Sequence, residues 1–198
     1  MSRGAARPVE VPWGLRIDLA GPERAVRHVL FDPEPEAARA LIDTLTDPGT
    51  CVKAFLSPEA MEPWFPAVDW EPAEPCFLMA TALRPIPVRA PDGYRTEVER
   101  AGGLVRVRVV GPGGDPAAYG QAGLTDTACV FDQIVTEPAH RRRGLGTVVM
   151  GALTGAAVDA GVTEGVLGAT VQGRALYETL GWRGLAPLSG FTRRPVGR

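Results

Sequence analysis

The chain has 198 residues and a formal net charge of −2, with 45% hydrophobic and 22% charged residues. These values are ordinary for a folded globular protein and allow one large or two small domains. The nearly neutral charge gives no broad basic surface, so nucleic acid is not expected as a direct ligand. No apolar run reaches the ~18 residues of a membrane span, and the N-terminus lacks the apolar core of a secretory signal. We therefore expect a cytoplasmic protein that does not enter a membrane.

The three cysteines give no sign of a metal site or a disulfide. Cys51, Cys76 and Cys129 are odd in number, widely spaced and placed within apolar runs. Small core residues in a reducing compartment are the simpler interpretation. No metal site is predicted.

The first ninety residues alternate short apolar runs with proline clusters. Hydrophobic spacing and turn residues predict strands at 14–19, 51–56 and 76–82 and a helix at 36–45. A second short helix is predicted after Ser57 and Pro58, because serine can cap a first turn that begins with proline. Trp64, Phe65 and Trp70 favour a hydrophobic core, and the alternative is that Trp64 and Trp70 form walls of a substrate pocket.

The remainder of the chain is predicted to form one sheet with two helices. Prolines and a glycine within residues 83–93 resist regular structure, so we expect a domain boundary near residue 90. The predicted strands beyond it are 96–100, 104–110, 117–124, 128–136, 166–170 and a last one from 182 onward. The predicted helices are 144–160 and 173–180. The order of these elements predicts an α/β sandwich with a mixed sheet.

The segment 131–146 reads FDQIVTEPAHRRRGLG and leads from a strand into a helix. Glycines let the backbone approach a ligand closely, and the first turn of a helix presents unpaired N–H groups at the positive end of its dipole. This pattern is typical of a phosphate cradle at residues 144–147. Alone, it could equally be a basic turn. About 30 residues later, roughly the length of a strand, helix and strand unit, follows GRALYETLGW.

Together these two segments resemble the GCN5-related N-acetyltransferase (GNAT) family. The coenzyme-A loop of that family reads R/Q-x-x-G-x-G/A, and a later helix carries a leucine and tyrosine pair followed by leucine, glycine and an aromatic residue. The resemblance is clearest over residues 117–187 and extends back to residue 94. It implies a GNAT-like domain at 91–198 with a mixed, mainly antiparallel central sheet flanked by helices. Residues 1–90 keep an uncertain fold, as a degenerate or accessory half that contributes to the acceptor site.

The resemblance also implies acetyl-CoA as a co-substrate. Main-chain amides of the loop would bind its diphosphate, with a charge-assisted contact from the Arg141 side chain. A bulged strand would pair with its pantetheine arm. Thr170 stands where many members have an asparagine that contacts pantetheine, and Gly173 replaces an alanine, so acetyl-arm contacts there are not carried over. The expected coenzyme-binding residues are Ile134, Val135, Thr136, Arg141, Arg142, Arg143, Gly144, Leu145, Gly146, Thr147 and Thr170.

Two residues are expected to carry proton transfer. Tyr177 matches the tyrosine that serves many relatives as general acid near the coenzyme sulfur, and the alternative is a tyrosine that only fills the core. Asp132 is the carboxylate inside the strand from which the family often takes a general base. Glu137, His140 and bulk water are the alternatives.

The implied function is an N-acetyltransferase that moves an acetyl group from acetyl-CoA to a primary amine of a small molecule or protein, by direct attack in a ternary complex. The alternative is a non-catalytic acyl-CoA sensor or assembly module. A nucleotide-binding Rossmann domain is disfavoured because Val149 fills the place of the third glycine of its fingerprint. The expected partners are acetyl-CoA, an amine acceptor and a second copy of the chain. The sequence does not indicate which amine is acetylated.

Overall fold

The computed structural model describes residues 8–18 and 26–195. These residues divide into two compact units. Of the described residues, the first unit comprises 8–18, 26–78, 169–171 and 184–195, and the second comprises Met79–Gly168 and Gln172–Arg183. Within the described ranges, no helix combines the length and the apolar composition needed to cross a membrane.

Strands outnumber helices in the described part of the chain. The strands are β1 (Val9–Val11), β2 (Gly14–Asp18), β3 (Val26–Leu30), β4 (Cys51–Ala54), β5 (Trp70–Pro72), β6 (Cys76–Ala82), β7 (Arg95–Ala101), β8 (Leu104–Val110), β9 (Pro116–Leu124), β10 (Ala128–Thr136), β11 (Glu164–Thr170) and β12 (Arg183–Arg193). The α-helices are α1 (Pro35–Thr44), α2 (Pro58–Met61), α3 (Leu145–Asp159) and α4 (Val171–Thr179). Short 3₁₀ helices occupy Glu62–Trp64 and Pro138–His140.

In the first unit the strands follow the order β1, β2, β3, β4 and β12, with β5 also paired to β12. β3 and β4 are parallel and are joined through α1, whereas the other pairs are antiparallel. Ser57 caps α2 as predicted, because its hydroxyl accepts a hydrogen bond from the Ala60 amide at 3.3 Å.

The aromatic residues of the first unit form a hydrophobic core. Phe65 stacks on Phe191 with ring centroids 4.2 Å apart and meets Trp70 edge to face at 5.0 Å. Trp64 and Trp70 are 6% and 2% exposed, so little of either ring remains for a ligand. The predicted core is confirmed, and these two residues are not the pocket walls considered as its alternative.

In the second unit the strands follow the order β11, β10, β9, β8 and β7, with β6 beside β11. β10 and β11 are parallel, and the remaining registered pairs from β10 to β7 are antiparallel. The hairpin of β7 and β8 turns at Gly102 and Gly103, both of which have positive φ. The predicted fold class, an α/β fold around a mixed, mainly antiparallel sheet flanked by helices, is confirmed.

Helix α3 is buried on more than one side. Leu145, Val149 and Leu153 are at most 1% exposed, and Met150 is buried as well. A Cβ added at Gly151 would lie 2.5 Å from both Val88 methyl groups, so the irregular segment 83–93 covers a second side of this helix. The helix therefore packs between the sheet and that segment.

Gly120 in β9 allows α3 to approach the sheet closely. A Cβ at this position would lie 2.5 Å from Ile134 Cδ1 and 2.7 Å from Val149 Cγ1. Because β10 and α3 meet over this one residue, Gly120 sets the distance between the strand and the helix that carry the candidate site.

We expect Gly120→Ala to lower the free energy of unfolding by about 1–3 kcal/mol, because the added methyl group overpacks a buried contact. Gly123→Ala in the same strand is the matched control, since no atom lies within 4 Å of its Cβ position. That control should change stability by less than about 1 kcal/mol. Urea denaturation of both variants measures the difference, and equal effects would contradict the close approach.

Candidate functional site

A β-bulge interrupts β10 at the centre of the candidate site. Asp132 pairs with Gln121 of β9, but the next registered pair is Val135 with Tyr119. Gln133 adopts a φ of 55°, a left-handed conformation that is uncommon outside glycine. The Asp132 carboxylate accepts a hydrogen bond from the Gln133 amide at 2.9 Å, which stabilises this irregular geometry.

The other edge of β10 becomes available beyond the bulge. Its registered pairs with β11 run from Ala128 with Glu164 to Phe131 with Leu167, whereas β10 continues to Thr136. The main chain of residues 134–136 therefore keeps hydrogen-bonding groups on the side away from β9. An extended ligand could add there as a further strand.

The loop from Arg141 to Gly144 leads directly into α3. Arg142 and Gly144 have positive φ, at 60° and 75°. Gly144 accepts the first helical hydrogen bond, from the Val148 amide at 3.2 Å, but provides no side-chain cap. The amides of residues 145–147 therefore have no partner within the helix and lie at the positive end of its dipole. This is the predicted anion-binding geometry.

The two glycines of the loop have different roles. A Cβ at Gly144 would have open space within 4 Å, and its positive φ is what favours glycine. A Cβ at Gly146 would lie 2.9 Å from Leu176 Cδ2. Gly146 therefore also allows α3 to pack closely against α4.

The residues predicted to bind the coenzyme differ in which of their groups are accessible to a ligand. The Arg141 Nε donates to the Thr136 carbonyl at 3.2 Å, which ties the loop to the end of β10. Arg142 and Arg143 are exposed, so their guanidinium groups face solvent. Leu145 is 1% exposed, so its side chain belongs to the core and only its amide remains for binding. Ile134, Val135, Thr136, Gly146, Thr147 and Thr170 are half-buried, and Thr170 is the last residue of β11.

Tyr177 and Asp132 influence each other electrostatically. Tyr177 lies in α4, is 7% exposed and has its ring 6.2 Å from that of Trp182. Burial, and secondarily the negative charge of Asp132, raises the pKa of Tyr177 from 10.0 to about 12. The phenol therefore stays protonated at physiological pH and can donate a hydrogen bond. The two residues proposed for proton transfer come from different elements, and the charge of Asp132 acts on Tyr177.

His140 forms a polar network that the sequence did not reveal. Its Nδ1 lies 3.0 Å from the Tyr94 hydroxyl, and its Nε2 lies 2.6 Å from an Asp115 oxygen. This hydrogen bond to His140 lowers the pKa of Asp115. Both ring nitrogens are occupied, which favours a structural role beside the loop over the alternative role of general base. The three residues are far apart in the sequence, so only the fold brings them together.

Comparisons with known proteins identify the family of the chain. The family profile described as the Acetyltransferase (GNAT) family matches residues 57–182, which is more than half of the chain. The chain therefore belongs to the GNAT family of acetyltransferases. No curated protein matches it significantly in sequence.

Solved structures share the fold at low identity. A GCN5-related N-acetyltransferase from Kribbella flavida has a TM-score of 0.69 at 16% identity, covering 98% of this chain and 91% of its own. A GCN5-related N-acetyltransferase from Sphaerobacter thermophilus has a TM-score of 0.59 at 12% identity, covering 96% and 76%. A tandem GNAT protein from the clavulanic acid biosynthesis pathway has a TM-score of 0.60 at 11% identity, covering 93% of this chain and 79% of its own.

A difference titration tests the environment of Tyr177. Subtracting the alkaline absorbance curve of Tyr177→Phe from that of the wild type should isolate one phenol with a midpoint at about 12 instead of 10.0. Asp132→Asn should lower this midpoint, because the carboxylate charge disfavours the phenolate. Asp126→Asn, which changes an exposed carboxylate in the turn before β10, should leave it unchanged.

The same shift makes stability depend on pH. The folded pKa of Tyr177 lies above the unfolded value, so its contribution to stability is complete below about pH 10 and is lost as the pH approaches 12. Circular dichroism must show that the fold persists through the titration, because unfolding returns Tyr177 to water. A midpoint near 10 in folded protein would contradict the buried environment.

Proposed function

We propose that this protein transfers an acetyl group from acetyl-CoA to a primary amine of a small molecule or protein, by direct attack in a ternary complex. Members of the GNAT family generally use acetyl-CoA as the acyl donor. The observation that supports the proposal most is the electrostatic effect on Tyr177 of Asp132, which lies at the bulge of β10. The free edge of β10 and the uncapped start of α3 lie on the same stretch of chain.

In this proposal the chain binds the co-substrate mainly through its backbone. The amides of residues 144–147 hold the diphosphate, and the exposed guanidinium groups of Arg142 and Arg143 add positive charge. Arg141 positions the loop through its bond to the Thr136 carbonyl. The main chain of residues 134–136 pairs with the pantetheine arm as an added strand. Leu145 contributes its amide alone.

The reaction needs a neutral amine and a stabilised leaving group. The nitrogen lone pair attacks the thioester carbonyl carbon, a C–N bond forms, and the C–S bond then breaks with its electron pair leaving on sulfur. Asp132 accepts the proton that the nitrogen loses, directly or through a water molecule. One of its oxygens is already engaged by the Gln133 amide, which fixes the orientation of the carboxylate.

Tyr177 acts as a hydrogen-bond donor to the departing sulfur. A thiol has an ordinary pKa of ~8.5, far below the value of about 12 for this phenol. Complete proton transfer from Tyr177 to the thiolate is therefore unfavourable, whereas donation of a hydrogen bond is not. In a site that excludes water, one such donor typically contributes 10²–10³ in rate.

Binding of acetyl-CoA, measured without turnover, tests the proposed diphosphate site at residues 144–147. At acetyl-CoA concentrations of ~100 times its Kd, the wild type should gain about 2.7 kcal/mol of stability and a higher Tm. Arg143→Glu places a carboxylate beside the start of α3 and should raise the Kd about tenfold, a loss of about 1.4 kcal/mol. Arg183→Glu, at an exposed arginine that begins β12, is the matched charge-reversal control. If acetyl-CoA gives neither binding heat nor a change in Tm with the wild type, the proposed diphosphate site is wrong.

The Tyr177→Phe variant separates the effect of Tyr177 on kcat from any effect on acetyl-CoA binding. We expect a fall in kcat of at least ~10²-fold, measured as thiol release with a panel of primary amines, while calorimetry still detects acetyl-CoA. An unchanged kcat would remove the role of Tyr177. If the wild type binds acetyl-CoA but releases no thiol with any amine, the chain acts as a non-catalytic acyl-CoA sensor or assembly module instead.

A further inference from the structure

A groove of about 410 Å³ lies on one face of the sheet in the second unit, across β7, β8, β9 and β10. Gly120 of β9 faces α3, since a Cβ there would meet Val149 and Leu153. Successive residues of a strand point to opposite faces, so Gln121 points away from α3 and into the groove. The groove is thus on the opposite side of the sheet from α3.

Gln121 is an unusual residue for the floor of this groove. Its side chain lines the groove although the residue is only 8% exposed. Its side-chain amide can both donate and accept hydrogen bonds, and it is not one of the described side-chain groups that are fully buried without a partner. A polar ligand in the groove would hydrogen-bond to it.

The strand register relates Gln121 to the proposed chemistry. On one side Gln121 is directly opposite Asp132, and on the other it is opposite Arg106. Directly opposite residues of antiparallel strands share a face and have Cβ atoms roughly 5 Å apart. A ligand on Gln121 would therefore lie between the carboxylate proposed as the general base and a strand that carries arginines.

The charges of the groove change sign across the sheet. β8 contributes Arg106 and Arg108, and β7 contributes Glu97 and Glu99. Glu97 pairs with Arg95 at 2.9 Å, and Glu99 lies 3.7 Å from Arg106. Among the described residues, Arg108 has no ion-pair partner. The cation that remains available to a ligand is therefore Arg108, and the acidic residues lie one strand farther from Asp132.

We propose that this groove is the acceptor site and that the acceptor is a small amine carrying a carboxylate. The proposal rests on the acetyltransferase function proposed above. The amine end lies at the edge of the groove formed by Gln133, next to Asp132, which does not itself line the groove. The middle of the molecule hydrogen-bonds to Gln121, and the carboxylate pairs with Arg108. A second ammonium group at the position of the carboxylate would face an arginine, so the arrangement disfavours polyamines.

The spacing of the strands limits the length of such an acceptor. Arg108 is two strands from Asp132, and neighbouring strands are ~4.8 Å apart, so the two Cα atoms are separated by on the order of 10 Å. The arginine side chain covers part of that distance. The fitting acceptor is therefore extended, with several bonds between its amine and its carboxylate, and not a compact molecule with both groups on one carbon.

Turnover of paired amines tests the proposal. Straight-chain ω-amino carboxylates of increasing length are compared with the alkylamines of equal length, with thiol release as the readout. For the best chain length, kcat/KM should be at least ~10-fold higher for the amino carboxylate than for the alkylamine. Arg108→Gln should reduce this ratio about tenfold. Arg100→Gln, at an exposed arginine of β7 outside the groove, should retain it.

Two turnover results would overturn the proposal. The first is equal kcat/KM for amino carboxylates and alkylamines in the wild type. The second is the same ratio in Arg108→Gln as in the wild type. Gln121→Leu gives a further check, because loss of the central hydrogen bond should raise KM for the amino carboxylate more than it lowers kcat.

Calorimetry with protein saturated with coenzyme A separates this proposal from the acetyltransferase function. If amino carboxylates bind the wild type and bind Arg108→Gln about tenfold more weakly, yet no amine releases thiol, the groove is a carboxylate site and the proposed reaction fails. If alkylamines are acetylated but amino carboxylates show neither binding nor preference, the groove assignment fails and the proposed reaction stands.

Discussion

The bulge in β10 is the constraint on which the rest of the site depends. One extra residue between Asp132 and Val135 shifts the register against β9, and Gln133 adopts a left-handed conformation within the strand. Without it, β10 could continue alongside β11 and its second edge would be closed by pairing. Because the pairing with β11 stops at Phe131, that edge stays available. The strain at Gln133 is offset in part by the hydrogen bond to Asp132.

The close approach of α3 to the sheet explains why the bulge and the anion-binding loop are held together. Gly120 lets the helix contact Ile134, which is within the bulged segment. At its other end the helix begins at a glycine with positive φ and packs against Leu176 through Gly146. A helix fixed at both places keeps its uncapped amides at a constant distance from the free edge of β10. A ligand with a diphosphate at one end and an extended arm at the other requires such a fixed distance between its two binding sites.

Local sequence patterns could predict the elements and the loop, but not the long-range register. The strand, the arginines, Gly144 and the helix are adjacent in sequence, so their chemistry is visible in one segment. Gln121 gives no such signal, because its position opposite Asp132 depends on how β9 pairs with β10. The network of Tyr94, Asp115 and His140 is hidden for the same reason, since it joins three segments that are far apart in the sequence. The packing role of Gly146 is hidden too, because its partner Leu176 lies in a later helix.

The electrostatic link between Asp132 and Tyr177 gives the proposed reaction an order. While Asp132 is ionised, its charge adds to burial in raising the pKa of Tyr177, so the phenol is a weak acid. When Asp132 takes the proton of the attacking amine, that charge disappears and the pKa of Tyr177 falls. Tyr177 therefore becomes a stronger hydrogen-bond donor at the stage when negative charge develops on the departing sulfur. In the proposed reaction, Asp132 and Tyr177 can in this way act one after the other without any movement of the backbone.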